Sequence, residues 1–538
     1  MLPSTTKVLN TPELLSAISE HTDVKTCVSM AYTSRLNFHC AIPFVWRWLA
    51  SPLPLLQLIP NAALREGLEM FRGEVFDLTL PLETDFTRWN VYAPYVQSLK
   101  IRQAAHRIKN WEPLVSESSH RPLLPKLSTL AIIHPPDDET GVGLGDSIWM
   151  LAFLTGSLST LSMLADIRGV PPVLAPAQFF TLFEAIHSIC PNVRNLSMPT
   201  VDFNLAQAPN WRDILSSIQI GRYFLSFSRL CRLDVGIWVF NEDLIHAIGS
   251  LQQLDHLILH RESSNAMTLS EHLTLDEAAF PMLTKLTLSH VKWVNVRILL
   301  SYRSLTRNIT SFDIKCNMMT LEEDWRGAKG LLLLRKMPKL RNLDMSFGLI
   351  MNHLSGFRAD SGSLIDLNTD EVLDVLSRLP LEMVRISGAH FTKLWSISLD
   401  SVFATVVDLR LPHQEANLAH FAHFATMPRL KYLAVRFPSD SAGVQMPFML
   451  KNTICPSLEV LELTLALEQE AESSSKAIYK RHIDVTASRI LRIFPNIKAV
   501  TSRTLDKRSF EYHEISKINA DITAIREKNG ARALKQLE

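Results

Sequence analysis

Cysteine is sparse and never paired: six residues (Cys27, Cys40, Cys190, Cys231, Cys316, Cys455) lie far apart in 538, with no CxxC. That spacing excludes a disulfide framework and a cysteine zinc site. It predicts small buried hydrophobes in a reducing compartment. No apolar run approaches the ~18 residues that a membrane helix needs. The richest stretch, 49–60, is interrupted by Pro52, Pro54 and Pro60. The opening MLPSTTKVLNTPELL lacks the basic start and apolar core of a secretory signal. A cytoplasmic and/or nuclear location is expected, with no membrane partner. A basic block is also missing: net charge is +1, with Lys/Arg and Asp/Glu interspersed, so no nucleic-acid partner is expected.

Catalytic signatures are missing too. There is no HExxH, GxSxG, Walker loop or kinase set. GVGLGD at 141–146 lacks the lysine and full spacing of a phosphate loop and reads as a flexible loop. The close pairs His420/His423 and His256/His260 have no carboxylate or cysteine at ligand spacing, and read as surface or interface residues. No enzyme activity, metal or cofactor is expected.

What the chain has is a repeat. In CPSLEVLELTL, Leu458, Leu461 and Leu463 set a pattern of three apolar positions. Its second member recurs at Leu99, Leu130, Leu161, Leu196, Leu233, Leu257 and Leu286, then at Phe312, Leu343, Val384, Leu409, Leu433, Leu461 and Val500. About fourteen repeats result, roughly 24 to 41 residues apart with a mean near 31, within the solenoid range. Seven carry a proline two places before the first apolar position: Pro125, Pro191, Pro281, Pro338, Pro428, Pro456 and Pro495. Proline ends a preceding helix and favours extended chain before it. In AQFFTLFEAIHSIC, Phe179, Leu182, Phe183, Ile186 and Ile189 fall on one helical face. Each repeat therefore reads as helix, proline turn, short strand. The fourth and sixth places share a strand face, because side chains alternate. One repeat cannot hold itself together; stacked repeats share a core. An ordinary parallel α/β sheet is the other reading of the same pattern.

The pattern resembles leucine-rich repeats over about Val96 to Val500. The resemblance implies an α/β solenoid with a parallel sheet on its concave face. The Asn that usually closes the family motif is largely missing, and insertions are expected at Pro135–Asp146, Arg261–Glu277, Lys315–Lys329 and Asn352–Asn368. Places three, five and seven should face outward. They include Lys100, Arg102, Arg232, Asp234, His256, His260, Lys285, Asp313, Lys315, Asn342, Asp344, Asp408 and Glu462. Because interfaces favour Arg and Tyr anchors, Arg385, Arg410, Tyr432 and Arg436 are the expected client-binding residues.

Residues 9–49 differ from the repeats. Thr11 reads as an N-cap with Pro12 at the first helical position. Apolar stripes mark three short helices. The segment resembles an F-box: Pro12, Glu13, Leu14, Leu15 and Ile18 match the opening helix, and Pro43 and Trp46 the closing PxxW. Thr22, Thr33 and Asn37 depart from the family pattern. A helical cap on the solenoid is the alternative. The expected domains are an F-box-like module (1–50), a helical linker or N-terminal cap (51–94), the repeats (95–500) and a charged C-terminal cap or tail (501–538).

The combined layout resembles fungal F-box/leucine-rich-repeat proteins. That implies a non-catalytic substrate receptor of a cullin–RING (SCF-type) ubiquitin ligase. Pro12, Leu14, Leu15, Ile18 and Trp46 would dock a Skp-type linker subunit, and the repeats would hold a client protein. A scaffold with no ligase role and a ligand-sensing receptor are the alternatives.

Overall fold

The computed structural model describes residues 11–69, 73–102, 106–134, 144–165, 173–174, 176–198, 200–201, 220–260, 269–270, 273–317, 329–348, 365–367, 370–417, 419–438, 455, 457–466, 487–488, 490–502 and 510–537. The chain forms two compact bodies, residues 1–282 and 283–538.

The N-terminal body begins with three helices, α1 (Pro12–Glu20), α2 (Val24–Ala31) and α3 (Arg35–Trp46). Pro12 starts α1. Asp23 caps α2 by accepting from the Thr26 amide (2.9 Å), and Ser34 caps α3 by accepting from the Asn37 amide (3.1 Å). Leu15, Cys27 and Cys40 are buried among them.

A parallel ladder follows: β1 (Trp48–Leu49), β2 (Ser98–Arg102), β3 (Thr129–His134), β4 (Thr160–Ala165), β5 (Asn195–Ser197), β6 (Arg232–Gly236) and β7 (His256–His260). The C-terminal body has its own parallel ladder: β8 (Lys285–Ser289), β9 (Ser311–Asn317), β10 (Asn342–Gly348), β11 (Met383–Ser387), β12 (Asp408–Glu415), β13 (Tyr432–Pro438), β14 (Val460–Ala466) and β15 (Ala499–Ser502).

The repeated apolar positions are what put these strands in register. In the first body Leu49, Leu99, Leu130, Leu161, Leu196, Leu233 and Leu257 are successive Cα partners. In the second body the same line runs through Leu286, Phe312, Leu343, Val384, Leu409, Leu433, Leu461 and Val500. Every one of these side chains is buried. All fourteen repeat positions read from the sequence lie on strands; Leu49 adds a fifteenth that the reading left in the helical module.

Within each body, successive repeats are tied together by a recurring bond pair. Two successive amides at a strand's start donate to one carbonyl of the preceding repeat. Ser128 and Thr129 donate to Gln97 O (2.8 and 3.0 Å), and Lys431 and Tyr432 to Val407 O (2.8 and 3.1 Å). Helical segments cover the apolar face. The helix Pro176–Ile189 buries Phe179, Leu182, Phe183 and Ile186 as expected, but Ile189 at its last residue is exposed. Phe179 meets Trp238 at 4.7 Å between ring centroids, and Phe183 meets Phe224 at 5.1 Å. Both bodies are thus α/β solenoids of leucine-rich-repeat type.

Four expectations need correction or closer placement. Residues 51–94 are not all helical: Ala63–Glu69 and Gly73–Thr79 form an antiparallel hairpin, and the second strand pairs in parallel with His106–Lys109. Alternation of Phe76, Leu78 and Leu80 favours strand there, and Leu78 and Leu80 are buried. Residues 144–146 open the 3₁₀ helix Leu144–Phe153 rather than continuing a loop, while 141–143 lie outside the described residues. Lys315–Asn317 belong to β9 rather than to an insertion. Most of the other expected insertions fall outside the described residues; Ile365–Asp366 forms a small parallel pair with Ala389–His390.

The last strand of the C-terminal body is covered by the helix Phe510–Leu537. Asn519 accepts from the Val500 amide (2.9 Å) and donates to the Val500 carbonyl (2.6 Å), as a neighbouring strand would. Ile515, Ile518 and Ile522 are buried on the same helix.

Candidate interaction surfaces

On the open face of the C-terminal sheet, place five of each repeat forms a row across the strands. Asp313, Asp344, Arg385, Arg410, Ala434 and Glu462 are successive Cα partners. Place three of the next row brings Asp408 opposite Tyr432.

The structure gathers the expected client residues on β11, β12 and β13, with carboxylates built in among them. Arg410 donates Nε to Asp408 Oδ1 (2.9 Å) and Nη2 to Asp408 Oδ2 (2.8 Å). Its guanidinium carbon lies 4.2 Å from the centre of the Tyr432 ring, a cation–π arrangement. The Tyr432 hydroxyl donates to Glu462. This chain of contacts fixes both side chains. The hydrogen bonds that Asp408 accepts raise the Arg410 pKa further, and burial, then the bond to Glu462, pushes the Tyr432 phenol up to about 12.

Arg385 is looser. Its nearest carboxylate, Asp344, is 3.7 Å away, and the Arg385 side chain is 44% exposed. Arg436 sits at the far end of β13, 3.7 Å from Glu415. Its partner arrives through a register shift between Leu411 and Glu415, which breaks the simple alternation. At the other end of the row, burial raises the Asp313 and Asp344 carboxyls, partly offset by Lys315 and Arg385. Asp313 Oδ1 is shielded from solvent and has no hydrogen-bond donor.

The open face of the N-terminal sheet is different in kind. Trp48, Ser98, Thr129, Thr160, Asn195, Arg232 and His256 form its first row. Most of these are small and uncharged. Trp48 is 67% exposed, with Arg47 over its ring at 5.1 Å; the two-residue strand that carries it is too short to show a periodicity in the sequence. His260 is not a surface residue: it is 8% exposed. Its Nδ1 lies 3.0 Å from Asp234 Oδ1, and Ser197 donates to Asp234 Oδ2 (3.2 Å). The partner comes from the adjacent strand, 26 residues away in sequence. His420 stacks flat on Trp395 (4.0 Å, 7°) on the helical side, and burial holds its pKa down to about 4.

The helical module has an apolar face of its own. Leu14 and Ile18, one turn apart on α1, are 45% and 41% exposed, and Val24 and Tyr32 are also exposed. Pro12 is exposed beside them. Leu15, on the adjoining edge, is 1% exposed, so it supports α1 from within. Trp46 is half-buried, stacked on Tyr92 at 4.6 Å. Arg47 donates to Gln97 Oε1 (2.9 Å), joining the module to the first repeat.

No family model matches the chain, and no curated protein matches it. Among solved structures, it is similar to an internalin from Listeria monocytogenes, at 13% identity over 67% of this chain and 82% of that one, TM-score 0.28. It is similar to the leucine-rich-repeat ectodomain of the receptor kinase GASSHO1/SCHENGEN3 from Arabidopsis thaliana, at 10% identity over 79% of this chain, TM-score 0.28. A plant peptide hormone receptor, RGFR1 in complex with RGF2, is similar at 11% identity over 76% of this chain, TM-score 0.26. The chain spans 46% and 64% of those two plant receptors. The fold stands on the strand register and burial described above, not on likenesses with such low scores.

Proposed function

We propose that this protein is a non-catalytic adaptor that holds a client protein on its repeats and docks, through residues 1–50, to the Skp-type linker subunit of a cullin–RING ubiquitin ligase. Residues 51–94 would connect the module to the repeat body (95–500), and 501–538 would close its end. The observation that carries the reading is the pair Leu14 and Ile18, left in water on one edge of a helix whose adjoining edge, Leu15 and Ser19, is packed. Large apolar side chains clustered in that way mark an interaction site. In the second body, Arg385, Arg410, Tyr432 and Arg436 lie on adjacent strands, where they would meet a client. Holding client and ligase together raises the client's effective concentration at the conjugating enzyme, which is the whole of the rate gain. Work in the cytosol or nucleus fits the six free cysteines.

The test is co-expression with a Skp-type linker subunit followed by affinity purification. Wild type should retain the linker; Leu14→Asp/Ile18→Asp should lose it while circular dichroism stays unchanged. Leu15→Asp would be uninformative, because it buries a charge inside the module. Retention by the double variant, or none by wild type, refutes the docking mode. In the latter case a repeat scaffold without ligase function is the reading that the two ladders still support.

A further inference from the structure

The charges in the place-five row are grouped rather than alternated. Asp313 is the register partner of Asp344, and Arg385 of Arg410. Like charges directly opposite each other weaken a sheet, and opposite ones strengthen it. Exchanging Asp344 with Arg385 would give four alternating charges with the same composition, so self-stabilisation does not account for the order found. Nor are Asp313 and Arg385 fully neutralised from within. Asp313 Oδ1 is sealed from water without a donor, and Arg385 lies 3.7 Å from Asp344. Asp408 and Tyr432 hold Arg410 in place at the other end.

We infer that this row receives a helical segment of the client lying across β9, β10, β11 and β12, with two basic side chains over Asp313 and Asp344 and two acidic ones over Arg385 and Arg410. The spacing fits a helix. Neighbouring strands are about 4.8 Å apart, so four charges span roughly 14 Å. A helix rises about 1.5 Å per residue, and side chains at i, i+3, i+7 and i+10 share one face over about 15 Å. An extended strand spaces same-face side chains by about 6.7 Å and falls out of step after one pair. Burial that raises both Asp carboxyls is relieved when a cation covers them.

This rests on the reading of the open face as the client surface, and its test is independent of linker docking. Two helix-stapled, fluorophore-labelled peptides of identical composition serve as probes. One carries Lys, Lys, Glu and Glu at i, i+3, i+7 and i+10; the other carries Lys, Glu, Lys and Glu. Anisotropy titrations use the full chain at about 10 mM salt, where screening is weak. The grouped peptide should bind about tenfold more tightly than the alternating one, in either chain direction. In Asp344→Arg/Arg385→Asp, which keeps net charge and the cross-strand pair, the preference should invert. Equal affinities, no binding by either peptide, or an unchanged preference in the double variant overturns the inference. Linker retention by a protein that fails this test leaves the adaptor reading standing and removes only the helical, charge-grouped client.

Discussion

Leu409 and Arg410 are consecutive residues of β12 that face opposite ways, which makes them a sharp pair for mutation. Leu409 is fully buried, with Val384 and Leu433 as its Cα partners on either side. Removing its side chain beyond Cβ forfeits about 1.5–3 kcal/mol of transfer free energy. Ladder hydrogen bonds hold strands at about 4.8 Å, so neighbours cannot close the gap and a cavity remains. The sum for Leu409→Ala is about 3–5 kcal/mol. Arg410→Ala removes a part-buried ion pair whose Asp408 side chain is already 21% in water and gains more when Arg410 is truncated. A part-buried, bidentate pair of this kind is worth about 1–2 kcal/mol, below the cavity cost. Urea unfolding followed by far-ultraviolet circular dichroism would give the two losses. Hydrogen exchange would place the first in peptides covering β11 to β13, because stability in repeat arrays is coupled mainly between neighbours. Equal losses, or a larger loss for Arg410→Ala, would refute the assignment of faces and with it the charged row.

Gly388 has φ +76, and a Cβ there would lie 1.6 Å from the Phe347 carbonyl oxygen; Gly388→Ala should lower the melting temperature by several degrees, at a cost above the ~1–2 kcal/mol of left-handed backbone alone. Asn519→Ala should cost about 1–3 kcal/mol by orphaning both Val500 backbone groups, and should release the Val500 amide to fast exchange. In an alkaline absorbance titration, one tyrosine should ionise only near pH 12, and Tyr432→Phe should abolish that late step. Because the folded state holds that proton more tightly, the stabilisation is intact below about pH 10 and is lost as pH climbs through about 12.

Much of the ladder was legible because its signal is local. Two apolar residues separated by one outward residue, as in Leu461 and Leu463, state both the strand and its buried face. The outward set was legible for the same reason, which is why Arg385, Arg410 and Tyr432 came out on adjacent strands. Partners within that set were not. Asp234 meets His260 only because repeat length brings their strands side by side, and Glu415 reaches Arg436 only through a register shift. Strand β1 was missed because two residues carry no periodicity, and Trp48 with it. On α1 the pattern named Leu14, Leu15 and Ile18 as one stripe, but a single helix stripe cannot say which edge its neighbours cover; packing buries Leu15 and leaves the other two in water.

The paired donation at each strand's start has a consequence for how such a chain can change length. Two N–H groups hang on one oxygen of the turn before, so excising part of a turn leaves both donors without their acceptor. Whole turns can be removed or duplicated, since each brings one oxygen and takes one away. Growth and loss should therefore come in complete modules, with variable lengths confined to the stretches between a strand's end and the following helix.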